Sequence, residues 1–123
     1  MNRRYIAGLA LVAVLGCGEG GPTRYAVRGT VTWQGEPLKT GSVTFRSEGH
    51  FPDWTSGGSV VNGRFLLAGR EGLPPWRYRV AVSGVPPGGD PATETLPREH
   101  NARSELSVAV KTAEFNDYAF DLD

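Results

Sequence analysis

The sequence predicts an all-β domain, an antiparallel β-sandwich of about seven short strands. Three observations predict it. Apolar residues alternate with polar ones in at least five segments, the period of half-buried strands. With 17 Gly and 9 Pro among 123 residues, turn-forming punctuation falls too often for a helical bundle. No segment beyond the N-terminal apolar run shows a sustained helical period, so helix–sheet architectures lose. The chain is sized for one domain, with no room for a second core.

The elements follow in order. Met1–Arg4 is short and basic, and Ile6–Leu15 is an apolar run broken only by Gly8. As a helix that run spans about 15 Å, half of a roughly 30 Å hydrocarbon core. It is too short to cross a bilayer and suits an export signal, so Met1–Gly16 is read as a signal peptide. Cys17–Arg24 contains Gly18-Glu19-Gly20-Gly21-Pro22 and reads as a flexible tether. The folded domain is assigned to Tyr25–Asp123.

In Tyr25–Trp33, Val27, Gly29, Val31 and Trp33 share one face, and Arg28, Thr30 and Thr32 take the other. Gln34-Gly35-Glu36-Pro37 is a turn, after which Leu38 packs back onto the core. Ser42–Arg46 is the second strand, with Val43 and Phe45 on one face. Ser47–Gly57 is read as a polar loop carrying His50, Phe51 and Trp54. Ser59–Val61 and Arg64–Ala68 form a hairpin around Asn62-Gly63, because both residue types tolerate the positive φ of a two-residue turn. Gly72-Leu73-Pro74-Pro75 turns the chain into Arg77–Ser83, where Tyr78, Val80 and Val82 alternate with polar positions. Val85–Pro97 holds too many prolines for any strand or helix interior. Arg98–Ser104 has room for one helical turn. Leu106–Lys111 and Asp117–Leu122 complete the set, the last with Tyr118, Phe120 and Leu122 on one face.

Val14-Leu15-Gly16-Cys17 resembles the lipobox of bacterial lipoproteins, with Val and Leu where Leu and a small residue are commoner. The resemblance implies that Cys17 receives a diacylglyceryl group, that a peptidase cuts before it, and that the new amine is then acylated. Two or three acyl chains anchor durably, since each buried methylene contributes about 0.8 kcal/mol. Gly18 in place of Asp implies the outer membrane by the enterobacterial sorting rule.

Three further stretches share an order and spacing. The first is Val27-x-Gly29-x-Val31 with Gly35-x-Pro37-Leu38 and Gly41-x-Val43-x-Phe45. The second is Asn62-Gly63-x-Phe65. The third is Gly72-Leu73-Pro74-Pro75 followed by Tyr78, Val80 and Val82. Together they resemble the carboxypeptidase regulatory-like, or transthyretin-like, domains, and in particular the small lipoproteins carrying this domain in planctomycete-type bacteria. The resemblance covers nearly all of the chain after Cys17. It implies an Ig-like β-sandwich and a non-enzymatic accessory module. His100, Trp76 and Asn62 depart from that pattern, which commonly has an aromatic, a Gly and an Asp at these places.

Composition narrows the function. Basic and acidic residues are 13 each, and loss of Arg3 and Arg4 with the signal leaves a slight acidic excess. No basic stripe exists, so nucleic acid is not an expected partner. The single cysteine allows no internal disulfide and no cysteine metal site. His50 and His100, with Asp53 or Glu99, could in principle serve acid–base or metal chemistry, but no ligand-like spacing joins them. The C-terminus Phe120-Asp121-Leu122-Asp123 lacks the Tyr-Arg-Gly-Ser ending of the transthyretin-like hydroxyisourate hydrolases, so that activity is not carried over. Asp117, Asp121 and Asp123 do not follow a calcium-loop spacing and read as a solvated strand face. No catalytic residue, metal or cofactor is therefore expected. Phe51, Trp54 and Trp76 are the candidate binding residues, as aromatics in or beside loops on a rigid scaffold. The expected function is a lipid-anchored envelope module, its membrane contact made through Cys17 and its other partner an envelope protein or glycan. The alternative is an envelope hydrolase, or an accessory subunit of one, using loop histidines and carboxylates.

Overall fold

A computed structural model describes residues 21–85, 96–97, 100 and 104–123. Cys17 with its signal and the first three residues of its tether, most of the proline-rich loop, and most of the expected helical turn lie outside the described residues.

The described chain is β throughout, apart from a 3-10 turn at Gly69–Glu71 and a further 3-10 position at His100. The strands are β1 (Ala26–Trp33), β2 (Glu36–Pro37), β3 (Thr40–Ser47), β4 (Thr55–Val61), β5 (Arg64–Leu67), β6 (Arg77–Gly84), β7 (Leu106–Ala109) and β8 (Phe115–Leu122). They form one sheet in the order β8-β1-β5-β4-β3-β6-β7, with β2 extending the β5 side of β1. Neighbours are antiparallel except at β1 and β8. Those two run parallel through eight register pairs, from Ala26↔Phe115 to Trp33↔Leu122.

The parallel pair corrects the expectation of a wholly antiparallel fold. β7 ends beside the start of β6, at the end of the molecule where β1 begins. Residues 110–114 carry the chain across to the free side of β1, so β8 must climb in the same direction as β1. A parallel pair needs a long connection between its strands. Here nearly the whole domain is that connection.

The sheet curls over on itself. Four inter-strand steps separate β8 from β3, about 19 Å if the sheet were flat. Yet the Phe120 ring on β8 lies 6.3 Å from Phe45 on β3. Phe45 also meets Phe65 on β5 at 6.0 Å and Tyr78 on β6 at 6.5 Å. The sheet's two halves are tied by ladder pairing at a single place, Val61↔Arg64 in the β4–β5 hairpin. Side-chain burial holds the rest of that junction. Each large apolar side chain removed from water contributes about 1.5–3 kcal/mol, and Val27, Val43, Phe45, Leu67, Tyr78 and Val80 are all fully buried.

The alternating faces follow the sequence reading: Val27 and Val31, Val43 and Phe45, Tyr78, Val80 and Val82, and Phe120 and Leu122 point inward, and Leu38 is fully buried. Gly29 sits where a Cβ would strike the Tyr118 carbonyl and the Phe65 ring, so glycine there leaves the room that ring occupies. Asn62 and Gly63 adopt φ of 52° and 76°, the two-residue hairpin geometry expected of them. Gln34-Gly35 makes a second such turn, and Glu36-Pro37 extends as β2 instead of completing the turn. The expected loop Ser47–Gly57 is shorter than anticipated. Thr55, Ser56 and Gly57 are strand, because their backbone pairs with Arg46, Phe45 and Thr44 on β3. Around Gly72–Pro75 the chain also pairs in place of simply turning. Leu73 bridges Tyr25, and Leu73 and Pro74 are buried.

Candidate functional site

The strands end in two clusters of loops. The proximal end is where β1 begins, and the distal end carries the two tight turns.

Three segments build the proximal end. Ser47 closes the first: its N–H donates to the Trp54 carbonyl, and its hydroxyl accepts from the Trp54 N–H, both at 2.8 Å. Residues 48–53 thus form a loop pinned at its base. The loop is held sideways by Arg46 on Asp53 at 2.7 Å and by Arg79 on Glu48 at 2.8 Å. Its tip is Phe51, which precedes Pro52 through a cis peptide and is 98% exposed. The second segment is Leu73–Trp76, rooted by the Tyr78 hydroxyl donating to the Pro74 carbonyl at 2.8 Å. The third is Arg24, just before β1.

These segments meet in an aromatic cluster. Trp54 and Trp76 stand edge to face with centroids 6.1 Å apart. His50 stacks on Trp76 at 3.8 Å, nearly parallel. The Arg24 guanidinium lies 5.0 Å over Trp54 and donates to the Arg70 carbonyl at 3.0 Å. Both indoles are half-buried against the core. The structure therefore brings Trp54 and Trp76 together and leaves Phe51 apart, projecting into solvent. A ring of His50 already covers one face of Trp76, and Arg24 covers one face of Trp54. Each indole thus has one face occupied, and Phe51 is the aromatic of the three that is fully accessible.

Asn116 fastens the crossover at this end. It is buried, and its amide oxygen accepts from the Lys111 N–H at 2.8 Å. Its amide nitrogen donates to the Lys111 carbonyl at 3.0 Å and, more weakly, to the Ala26 carbonyl at 3.4 Å. The Tyr118 hydroxyl donates across the same seam to the Ala109 carbonyl at 2.7 Å. Desolvation pushes the pKa of both the Tyr78 and Tyr118 hydroxyls above the ordinary tyrosine value.

A second feature lies on the outer face of β1, β5 and β8. A groove of about 640 Å³ runs between Val61, Leu66 and Phe115, with Arg28, Arg64 and Asp117 along its walls. Arg28 lies 4.0 Å over the Phe115 ring and pairs with Asp117 at 2.5 Å. The hydrogen bond to Asp117 is the main reason the guanidinium holds its proton even more firmly than usual. Of the four large apolar side chains left exposed among the described residues, three are Val61, Leu66 and Phe115. The sequence reading did not single them out. The available signal was a break in alternation, since Val61 follows inward Val60, and Leu66 sits between inward Phe65 and Leu67.

The histidines do not meet. His50 stacks at the proximal end, while His100 lies at the distal end, edge-on to Trp33 at 5.4 Å and 3.2 Å from the Asp123 carbonyl. Asp117 is engaged by Arg28, and Asp121 accepts from Thr32 at 2.8 Å, which makes both part of a solvated strand face. Among the described residues, no group of three His, Cys, Asp or Glu side chains is placed to hold a metal. Compared with models of known families, with curated proteins and with solved structures, the chain matches none.

Proposed function

We propose that the protein is a lipid-anchored binding module of the cell envelope, without catalysis of its own, in which the curled sheet is a transthyretin-like β-sandwich. The observation that carries the binding role is the convergence of Val61, Leu66 and Phe115 on one outer groove. Exposed apolar side chains scattered singly need no explanation, but three gathered in one concavity with charged walls suit a partner protein's apolar segment. The anchor rests on the Val14-Leu15-Gly16-Cys17 box behind a short apolar run. The sandwich reading is supported by the reach of Phe45 to both Phe65 and Phe120 across the core. Separation of His50 and His100 to opposite ends leaves an acid–base site with both histidines no geometry to work from.

The test has two parts on the full chain in its host. Detergent-phase partition and mass spectrometry of the N-terminal peptide read the anchor: a diacylglyceryl group on Cys17 is expected, and Cys17→Ala is expected in the aqueous phase. A photo-crosslinking residue in place of Leu66 reads the groove, with Leu66→Asp as competitor-free control of folding and binding. One dominant adduct, lost when Arg64 or Val61 is also replaced by Asp, supports the reading. Absence of any adduct from position 66 overturns the groove as the binding surface.

A further inference from the structure

We infer that the proximal end is a membrane-contact surface: Phe51, backed by the Trp54–Trp76–Arg24 cluster, rests on the phospholipid layer that holds the anchor. The inference rests on the lipid-anchored reading above and adds the orientation of the domain.

Reach comes first. Arg24 lies seven positions after Cys17. Seven residues extend at most about 25 Å, so acyl chains on Cys17 would hold Arg24, and the end of the sheet it touches, within that distance of the bilayer. The cluster is at this end because Arg24 itself is part of it. The groove, by contrast, runs up the flank of the sheet from Phe115 toward Val61.

Chemistry comes second. Phe51 is 98% exposed at the tip of a loop whose base is pinned by Ser47 and Trp54. A projecting aromatic on a rooted loop places apolar area at the headgroup boundary at little ordering cost. The indoles behind it are half-buried, the position that aromatic belts occupy between apolar and wet surroundings. Charge agrees. Arg24, Arg70, Arg77 and Lys111 lie at this end outside any ion pair among the described residues, against Glu71 and Glu114. Among the described residues, the distal end instead presents Glu36, Asp121 and Asp123 against Lys39 and Arg64. A chain of zero net charge thus turns a cationic surplus toward its own tether, where anionic headgroups would attract it.

The experiment uses the full chain, purified in detergent and reconstituted into vesicles of phosphatidylethanolamine with phosphatidylglycerol as the minor component. Matched vesicles carry acyl chains brominated near the headgroup. Phe51→Trp adds emission over wild type without disturbing packing, since the side chain contacts almost nothing. The difference between wild type and Trp33→Phe isolates Trp33 at the distal end. The emission added by Phe51→Trp is expected to fall about twofold in brominated vesicles, as for an indole at headgroup depth, and that of Trp33 to stay unchanged. Mass spectrometry of the same sample reads Cys17. A free thiol there overturns both the anchor and this surface. A lipidated Cys17 with unquenched emission at position 51 overturns this surface alone and returns Phe51 to a protein or glycan partner. Equal quenching at both ends also overturns it, because the domain would then have no fixed orientation.

Discussion

The two ends of the sheet are closed by different means. At the distal end the backbone does the work. Gly63 donates its N–H to Leu38 at 2.7 Å and accepts from Val31 at 2.8 Å, Asn62 donates to Lys39 at 2.8 Å, and Gln34 donates to Leu122 at 2.8 Å. Two tight turns interlock and leave little side chain to spare. At the proximal end side chains do the work: Asn116 ties the crossover, Ser47 closes a loop, and Trp54, Trp76, His50 and Arg24 fill the opening. Both closures join separate segments, but backbone closure asks only for residues that can take the turn geometry, while side-chain closure needs particular residue types at each contact. The proximal end is accordingly where surface chemistry accumulates.

The sharpest way to test this contrast is to remove one fastener from each end. Asn116→Leu strands the Lys111 N–H and carbonyl without their partner and is expected to destabilise by about 3 kcal/mol. Gly63→Ala forces a side chain into φ of 76° with its Cβ 2.8 Å from that of Pro37, and is expected to cost about 2 kcal/mol. Urea unfolding of both variants checks the order. Hydrogen exchange should localise the Asn116 effect to β8 and the start of β1, and the Gly63 effect to the β4–β5 hairpin. A Gly63→Ala cost larger than that of Asn116→Leu would break the comparison.

Alkaline pH weakens the ends unequally. Tyr78 is fully buried, its ring edge-on to Phe45 and its hydroxyl on the Pro74 carbonyl, and Tyr118 spans the β7–β8 seam. Desolvation keeps both protonated to higher pH than in an unfolded chain. Above about pH 10 the unfolded chain therefore binds fewer protons than the native one, and stability falls as pH rises. The fall for each fully retained proton is at most about 1.4 kcal/mol per pH unit. Tyr78→Phe should lose about 1 kcal/mol at neutral pH with its hydrogen bond and should flatten the alkaline limb. Thermal melts between pH 8 and about 11 check both. An alkaline limb as steep as wild type in Tyr78→Phe would mean that Tyr78 does not control it.

Much of the distal end was legible in the sequence, and less of the proximal end. Asn62-Gly63 announces its turn because two adjacent residues must both take positive φ. Inward faces such as Val43 with Phe45, and Tyr78 with Val80 and Val82, are legible because burial imposes a period of two. Strand direction carries no such mark, so the parallel β1–β8 pair was hidden. Thr55-Ser56-Gly57 holds no large apolar residue, so its place in β4 depends on backbone pairing with β3 and on the Ser56 hydroxyl donating to the Glu71 carbonyl. Phe51, Trp54 and Trp76 were visible as aromatics near turns, but their division into one projecting ring and two covered ones depends on Arg24 and His50. Those contacts come from segments that composition does not connect. The groove is an intermediate case: Val61 and Leu66 break the alternation in plain view, but Phe115 joins them only through the parallel pairing.

The smallest expected effect concerns the histidines, one at each end beside a tryptophan. His50 lies flat on Trp76 at 3.8 Å, while His100 meets Trp33 edge-on at 5.4 Å. A face-on cover shields an indole from solvent, and an edge-on neighbour does so less. Because His50 is exposed, His50→Ala should cost no more than about 1 kcal/mol, the scale of a single aromatic contact. The more telling readout is accessibility. In a Trp33→Phe background, acrylamide should quench the remaining emission more strongly once His50 is removed, because Trp76 loses its outer cover. Unchanged quenching would mean that Trp76 is shielded by the core alone. The proximal cluster would then be a packing arrangement around Trp54 and Arg24, with His50 merely resting against it.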